Sequence, residues 1–312
     1  MPATEQDFYA ELIDAIQDVS GRHEGRRAVH AKGTLCAGSF TAAPGAKELS
    51  AAAHLQGEEM RAHVRVSNGT GDPDASDAAQ DGRGLAVKLY LPDGTTTDMV
   101  MVSRRQFFVR TPEDFLAFMR ARKPDPETGA PDMAKLGEFL GAHPEAGPAV
   151  AEQLAVKPPV SYGTVEYNSL HAFKLIAPDG SERWVRFRFT PDAGEATHSD
   201  EEAEGLGPDY LQEEIVDRLN EGPVTFTLSA AIAQEGDPLD DPTAAWPEER
   251  ERVELGTLQV SAPASDRDTG DDVLVFDPTR VTAGTELSDD PILHVRSHAY
   301  AESVYRRSGV RR

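Results

Sequence analysis

The chain has little cysteine, little positive charge and no long apolar run, and each shortage excludes a class of protein. Cys36 is the only cysteine among 312 residues, so an internal disulfide is excluded and a reducing compartment fits. There are 31 basic and 54 acidic residues, and the formal net charge of −23 disfavours nucleic acid and anionic membranes as partners. No stretch approaches the length of a transmembrane helix, and the N-terminal residues lack the basic and apolar regions of a signal peptide. We therefore predict a cytoplasmic protein with no membrane partner, in which Cys36 packs in the core.

Alternating segments bounded by turn residues predict an α+β fold built on a β-barrel. Hydrophobic residues make up 39% of the chain, which is enough for a sizeable core. The predicted strands lie near residues 28–41, 58–67, 84–92, 96–103, 166–177, 182–190, 223–233 and 252–261. Pro-Asp-Gly at residues 92–94 and 178–180 suits tight turns between neighbouring strands. Eight mostly antiparallel, sequence-local strands predict a closed barrel rather than a parallel sheet.

Helical periodicity predicts flanking helices around this barrel. The predicted helices cover residues 6–19, a segment that begins at Thr111, and residues 132–155, 208–220 and 289–307. Thr111 followed by Pro112 is a helix-start pattern, with threonine as the N-cap and proline at the first helical position. No internal repeat or long linker divides the chain, so we predict one domain over residues 1–312.

The predicted C-terminal helix carries one stripe of residues suited to iron chemistry. Asp290 and Pro291 are a favourable helix start, and the stripe follows at intervals of four, three and four residues: Arg296, Tyr300, Ser303 and Arg307. Two guanidiniums beside one phenol favour its anion, which is a hard ligand for ferric iron. A solvated Arg/Tyr face is the alternative that the helix alone leaves open. His294 and His298, on the far side, have a spacing that zinc sites use, although an exposed polar face fits them better.

Eight segments, taken together and in order, resemble the motifs of the heme catalases. They are Arg27-Ala-Val-His-Ala-Lys-Gly33, Arg65-Val-Ser67, Asp81-Gly-Arg-Gly-Leu-Ala-Val-Lys-Leu-Tyr90, Phe107-Phe-Val-Arg110, Phe115-Leu-Ala-Phe118, Ser169-Leu-His-Ala-Phe-Lys174, Asp241-Pro-Thr243 with Trp246-Pro247, and Arg296-Ser-His-Ala-Tyr300. Each match is weak by itself, and their common order is what makes the resemblance specific.

The resemblance implies a heme site with named residues. Tyr300 would be the metal ligand on the proximal side, kept ionised by Arg296. The heme propionates would be held by three arginines, and the ring would lie beside Val29 and two phenylalanines: Arg27, Arg65 and Arg307, with Phe108 and Phe115. Heme b is the implied form, since a Cys-x-x-Cys-His attachment motif is missing from the sequence.

The resemblance also implies the catalytic groups. His30 would lie above the heme, taking a proton from the bound peroxide and returning it to the departing oxygen. Ser67 would orient the imidazole through its far ring nitrogen. Ser103 stands where the family has a distal asparagine, and its shorter side chain reaches less far. We therefore expect weak dismutation of hydrogen peroxide with peroxidase activity retained.

The chain is shorter than typical catalases, and the resemblance is closer to the small catalase-related peroxidases. We expect neither the N-terminal arm nor the C-terminal flavodoxin-like domain of the large enzymes, and a homodimer is an option for the assembly. Arg104 and Arg105 have two equal interpretations, either a channel mouth that favours anionic donors or acidic hydroperoxides, or ordinary surface residues.

The sequence predicts a heme-dependent peroxidase that uses hydrogen peroxide or organic hydroperoxides and a small-molecule organic electron donor. The first alternative is a hydroperoxide isomerase similar to allene oxide synthase. That enzyme carries threonine before its distal histidine, whereas this chain has Val29. The second alternative is a non-catalytic heme-binding barrel, to which the substitution at Ser103 lends support.

Overall fold

The computed structural model describes residues 3–265 and 274–309. Within them the chain forms ten strands, β1 (Gly33–Ala42), β2 (Glu59–Asn68), β3 (Arg83–Tyr90), β4 (Thr96–Val102), β5 (Tyr167–Asn168), β6 (Phe173–Ile176), β7 (Glu182–Pro191), β8 (Val224–Ile232), β9 (Arg252–Pro263) and β10 (Thr285–Leu287). The same residues form eight α-helices, α1 (Ala3–Ser20), α2 (Ala46–Leu49), α3 (Pro112–Ala121), α4 (Met133–Ala142), α5 (Gly147–Leu154), α6 (Asp200–Glu204), α7 (Tyr210–Glu221) and α8 (Pro291–Ser308).

Eight of the strands close into an antiparallel barrel. The ring runs β1-β2-β3-β4-β5-β7-β8-β9 and closes by pairing β9 with β1. Strands β6 and β10 lie outside the ring, because β6 pairs with the first half of β7 and β10 pairs with β6. The Pro-Asp-Gly turns connect β3 to β4 and β6 to β7, and the third residue of each turn, Gly94 and Gly180, has a φ of 83°. The predicted eight-stranded antiparallel barrel is confirmed.

Alternation along β2 sorts its side chains between the barrel interior and the outer face. Met60, Val64 and Val66 belong to the large buried apolar cluster that fills the barrel. Arg65 and Ser67 alternate with them and therefore project from the outer face. Cys36 is buried in the same interior cluster, as predicted.

A helical layer covers part of that outer face. Helices α1, α3 and α8 pack against one another around a second buried cluster that includes Leu12, Leu116 and Ile292. The start of α3 has the predicted cap, with the Thr111 hydroxyl accepting a hydrogen bond from the Asp114 N–H at 3.1 Å. The start of α8 is capped by Asp290, whose carboxylate accepts from the Ile292 N–H at 2.8 Å. In the part of the chain that the structure describes, no helix is both long and apolar enough to cross a membrane.

Three predicted elements differ from the structure. Residues 28–32 precede β1 without strand pairing, because His30 adopts a left-handed backbone conformation that ends the extended segment. Residues 166–177 form two strands, β5 and β6, instead of one. Between them the Phe187 N–H of β7 donates to the side-chain hydroxyl of Ser169 and not to a backbone carbonyl, so the backbone pairing with β7 is interrupted. The predicted helix over 132–155 is two helices, because Pro144 has no N–H to donate and interrupts the helical hydrogen bonds.

Candidate active site

The predicted site residues meet where the outer face of β2, β3 and β4 lies opposite α8. The backbone N–H of Ala28, just before β1, donates to the Ser303 hydroxyl on α8 at 3.4 Å. The segment that contains His30 therefore lies between the barrel wall and α8 and is hydrogen-bonded to the helix.

The position of His30 depends on an unusual backbone conformation. Its φ is 54°, and it is the one non-glycine residue with positive φ within residues 3–265 and 274–309. Backbone hydrogen bonds hold this conformation, from the His30 N–H to the Gly69 carbonyl (3.2 Å) and from the Ala31 N–H to the Thr70 carbonyl (3.0 Å). A left-handed conformation is costly for a residue with a Cβ, so such positions are often functional.

The imidazole of His30 rests directly against a glycine of the barrel wall. Its Nδ1 lies 3.0 Å from the Ser67 hydroxyl oxygen. A Cβ placed on Gly84 would come within 2.8 Å of the His30 ring and 2.9 Å of the Ser67 hydroxyl, closer than real side chains approach. Gly84 pairs with Ser67 in the sheet, so it is the glycine that gives the ring its place. Gly84 lies in the Asp81–Tyr90 motif, but no local feature of the sequence indicates this role.

His30 is neutral at physiological pH. Burial first, and then the charges of Arg65 and Arg296, lower the pKa of His30 to about 3. Ser67 occupies Nδ1, so Nε2 is the ring nitrogen left to exchange protons with another molecule.

Tyr300 lies at the end of a chain of hydrogen bonds on the helix side of the site. Its phenolic oxygen accepts two hydrogen bonds from Arg296, from Nε at 2.9 Å and from Nη2 at 2.7 Å. The third nitrogen of the same guanidinium, Nη1, donates to Nε2 of His171 at 3.0 Å. His171 Nδ1 in turn lies 2.6 Å from Oδ2 of Asp290. Arg296 thus has its orientation fixed from behind while two N–H groups point at the Tyr300 oxygen.

The protonation of His171 follows from its two neighbours. Since Arg296 only donates, the Nε2 it contacts must accept, and the proton of the neutral ring lies on Nδ1 facing Asp290. Burial lowers the pKa of His171, against the opposing effect of Asp290, so the ring is neutral. Asp290 also caps α8, which ties the start of the helix to the orientation of Arg296. Sequence resemblance covers His171 in its segment, but its two partners could be found only from the fold.

The three predicted propionate-binding arginines divide into a pair and a single residue. Arg27 and Arg307 both donate to the Leu274 carbonyl, at 3.3 and 2.9 Å, although they lie at opposite ends of the chain. Arg65 is buried and donates to the Ala31 carbonyl at 3.3 Å, next to His30. The fold therefore brings Arg27 and Arg307 together at one carbonyl and places Arg65 beside the His30 segment.

An apolar wall completes the site. Val29, Phe107, Phe108 and Phe115 are partly buried and pack against the helical core cluster. The ring centroids of Phe107 and Phe108 are 4.3 Å apart, and those of Phe108 and Phe115 are 5.6 Å apart. The three residues predicted to contact the heme ring, Val29, Phe108 and Phe115, therefore lie in one apolar cluster.

Ser103 and Val102 occupy different places relative to His30. The Ser103 hydroxyl accepts a hydrogen bond from the Arg83 N–H at 2.9 Å. Val102 pairs with Gly84, which pairs with Ser67, and residues paired in this way present side chains on the same face of the sheet. Val102 is therefore the residue in line with Ser67 beside His30, and Ser103 follows one position beyond. The predicted catalytic role of Ser103 stays a prediction.

The histidines on the far side of α8 have other partners. His294 Nε2 lies 2.8 Å from the Ser288 carbonyl oxygen, and the His298 ring stacks on Tyr9 with centroids 4.8 Å apart. Across residues 3–265 and 274–309, no group of three or more His, Cys, Asp or Glu residues could hold a metal ion. Tyr300 offers a phenolic oxygen and belongs to none of these four residue types.

Comparison with known proteins gives matches along nearly the whole chain. A sequence model of the catalase family matches residues 2–312. A catalase-related peroxidase of Mycolicibacterium paratuberculosis is 44% identical over 305 residues, covering 97% of this chain and 95% of that protein. A catalase-related peroxidase of Synechococcus elongatus is 33% identical over 298 residues, covering 96% and 88% of the two chains. The solved structure of catalase A from Saccharomyces cerevisiae, 24% identical, has a TM-score of 0.82 over 95% of this chain and 64% of that chain, which shows a common fold.

Proposed function

Because this chain belongs to the catalase family, we propose that it is a heme peroxidase that reduces hydrogen peroxide or organic hydroperoxides with a small-molecule organic electron donor. Two relatives that cover nearly the whole chain are catalase-related peroxidases, which supports an oxidoreductase acting on peroxide. The observation that carries the proposal is the pairing of a neutral His30 on the barrel wall with Tyr300 on α8, whose oxygen accepts two hydrogen bonds from Arg296.

The chemistry of these side chains fits a heme. The phenolic oxygen of Tyr300 is held in place by two hydrogen bonds from Arg296, and a tyrosine oxygen is a ligand that ferric heme iron accepts. The guanidiniums of Arg27, Arg65 and Arg307 suit the two carboxylates of a heme, and the apolar wall suits its flat macrocycle. We propose that Tyr300 ligates the iron, that Arg27, Arg65 and Arg307 bind the propionates, and that Val29, Phe108 and Phe115 contact the ring.

Heme b is the form that we propose, as a cofactor held without a covalent thioether link. Cys36 is the only cysteine and is buried in the barrel interior, away from the α8 side of the site. The bound iron would supply the redox chemistry by which the O–O bond of a peroxide is reduced. Residues 1–312 would then act as one heme domain.

His30 is the residue that we assign to proton transfer. With its pKa lowered to about 3, Nε2 has a free lone pair at neutral pH and takes a proton from the attacking peroxide. The same nitrogen returns the proton to the departing oxygen, which leaves as water or an alcohol. Ser67 holds Nδ1 at 3.0 Å, and Gly84 lets the ring lie against the wall, so the imidazole keeps one orientation through both transfers.

The residues beside His30 support weak catalase activity. Catalase turnover requires a second peroxide molecule to be positioned and oxidised, and a polar donor beside the histidine assists this step. The side chain in line with Ser67 and Gly84 is Val102, which offers no hydrogen bond, while Ser103 already accepts one from Arg83. An external electron donor therefore takes the place of the second peroxide.

The test is spectroscopy on heme-loaded protein, followed by hydrogen peroxide and then an organic donor. We expect a high-spin ferric spectrum with a tyrosinate ligand, slow oxygen release and rapid donor oxidation. Tyr300→Phe should abolish the spectrum, whereas His30→Gln should keep the spectrum and lose roughly a hundredfold or more in turnover. Oxygen release without any need for a donor would make the protein a true catalase, and failure to take up heme would refute the proposal. Consumption of a fatty-acid hydroperoxide in the absence of a donor would indicate an isomerase instead.

A further inference from the structure

Arg104 occupies the next position along the barrel wall from His30. Gly84 pairs with Val102, and Ser103 and Arg83 exchange hydrogen bonds, so the same register brings Arg104 opposite Gly82. A Cβ placed on Gly82 would lie 3.1 Å from Nε of Arg104. The guanidinium of Arg104 thus lies over Gly82 as the ring of His30 lies over Gly84, on one face of the same chain segment.

The charge of Arg104 is only partly balanced by its surroundings. The charges of Asp81 and Glu152 act on it, but no residue in the described part of the chain forms an ion pair or a hydrogen bond with its side chain. One oxygen of Asp81 is already bonded to the Thr70 N–H at 2.7 Å. Burial lowers the pKa of Arg104, and the charge of Arg122 lowers it further, yet an arginine stays protonated. Arg104 is therefore a partly desolvated cation with unused donors.

Arg105, the next residue, is satisfied elsewhere. It lies 3.0 Å from Glu248 and 3.9 Å from Glu166 in ion pairs, and about half of its side chain is exposed. The charge of Arg104, by contrast, is one of those that lower the pKa of His30. Each of the two interpretations thus applies to one residue. Arg104 faces the site, and Arg105 belongs to a surface network of ion pairs.

We infer that Arg104 is a specificity residue, which binds the carboxylate of organic hydroperoxides that carry one and so places their peroxide group at His30. This inference deepens the proposed function and rests on it. Gly82 and Gly84 are separated by about 6.6 Å along an extended chain, which a hydroperoxide with a short alkyl chain between peroxide and carboxylate can span. Arg122, exposed at the end of α3, extends the same positive charge toward solvent.

A local cation has particular value on this protein. The formal net charge of −23 repels anions over most of the surface. A carboxylate substrate therefore needs an attractive site near the reaction centre, and a guanidinium gives carboxylates bidentate, charge-assisted hydrogen bonds. Hydrogen peroxide, which has no charge, gains nothing from Arg104.

The experiment compares a six-carbon ω-hydroperoxy carboxylate with its methyl ester, using the full-length heme-loaded protein and hydrogen peroxide as the reference substrate. The rate constant for reduction of each peroxide is measured by stopped flow before donor is added. We expect the wild type to prefer the acid over the ester by about tenfold. Arg104→Gln should bring the ratio close to one and Arg104→Lys should restore part of it, while Arg105→Gln, the matched control, should keep the wild-type ratio.

Binding of hexanoate provides a second readout that does not depend on turnover. We expect the dissociation constant, measured by the change in the heme spectrum, to rise about tenfold in Arg104→Gln and to stay unchanged in Arg105→Gln. An equal acid-to-ester ratio in wild type and Arg104→Gln, together with unchanged hexanoate binding, overturns the inference while leaving peroxidase function intact. If the wild-type protein does not reduce hydrogen peroxide at all, the proposed function is refuted instead. Hexanoate binding to the wild type and to Arg104→Gln then still decides whether Arg104 binds carboxylates.

Discussion

Adding one methyl group to the barrel wall should displace His30, the residue that we propose transfers protons. In Gly84→Ala the new Cβ would lie 2.8 Å from Cε1 and Nδ1 of His30 and 2.9 Å from the Ser67 hydroxyl. An ordinary contact begins at 3.4 Å, so the imidazole must move away by about 0.6 Å or more, or rotate off Ser67. Strand β3 cannot yield instead, because β2 and β4 pair with it on both sides.

The displacement sets the expected magnitude. A shift of about 1 Å at a reacting group can lower a rate by about a hundredfold, so we expect Gly84→Ala to lose between tenfold and a hundredfold in peroxide reduction. The accompanying overpacking should cost about 1–3 kcal/mol in the free energy of unfolding. The Tyr300 side of the site is untouched, so the ferric heme spectrum should be retained.

The assay is stopped-flow reduction of hydrogen peroxide by heme-loaded protein, with the heme spectrum and urea unfolding measured on the same samples. Gly82→Ala is the matched control, since its Cβ would meet only the flexible end of Arg104 at 3.1 Å. We expect it to stay within a fewfold of the wild-type rate with hydrogen peroxide. A Gly84→Ala protein that is fully loaded, folded and as fast as the wild type would refute the argument that contact with Gly84 positions His30.

Three further predictions concern other parts of the structure. Val102→Asn should raise the rate of oxygen release from hydrogen peroxide about tenfold or more by placing a donor beside His30, whereas Ser103→Ala should change it little; an oxygen electrode measures both. Asp290→Asn keeps the helix cap but removes the acceptor for His171 Nδ1, and we expect a change in the heme spectrum with a loss of about 1–3 kcal/mol in urea unfolding. Burial lowers the pKa of His54 to about 4, so the unfolded chain takes up a proton below pH 6.5 before the folded protein does. The free energy of unfolding should therefore decrease as the pH is lowered, by about 2 kcal/mol between pH 7 and pH 5 from His54 alone. The unfolding free energy of the wild type minus that of His54→Leu should therefore be lower at pH 5 than at pH 7 by that amount. A difference that stays constant with pH would contradict the assignment.

Local signals in the sequence determined the elements of this protein and one half of its site. Thr111 and Asp290 mark helix starts because a side-chain oxygen satisfies an N–H two or three residues ahead, which is a purely local interaction. The Pro-Asp-Gly turns and the alternation of the strands are equally local, and they predicted the eight strands of the ring. Arg296 and Tyr300 lie one helical turn apart, so their hydrogen bonds also follow from the spacing on α8.

Only the tertiary structure decided what surrounds those residues. The closure of the ring, the break between β5 and β6, and the alignment of Ser67, Gly84 and Val102 depend on the register between strands. The left-handed conformation of His30 depends on carbonyl groups of a loop about forty residues away in the sequence. The different surroundings of Arg104 and Arg105 depend on which face of the barrel wall each side chain lies against. A shift of register by one residue exchanges the two faces of a strand. A tight turn can set the register within one hairpin, but no single segment of sequence specifies the register between strands that are far apart in the chain.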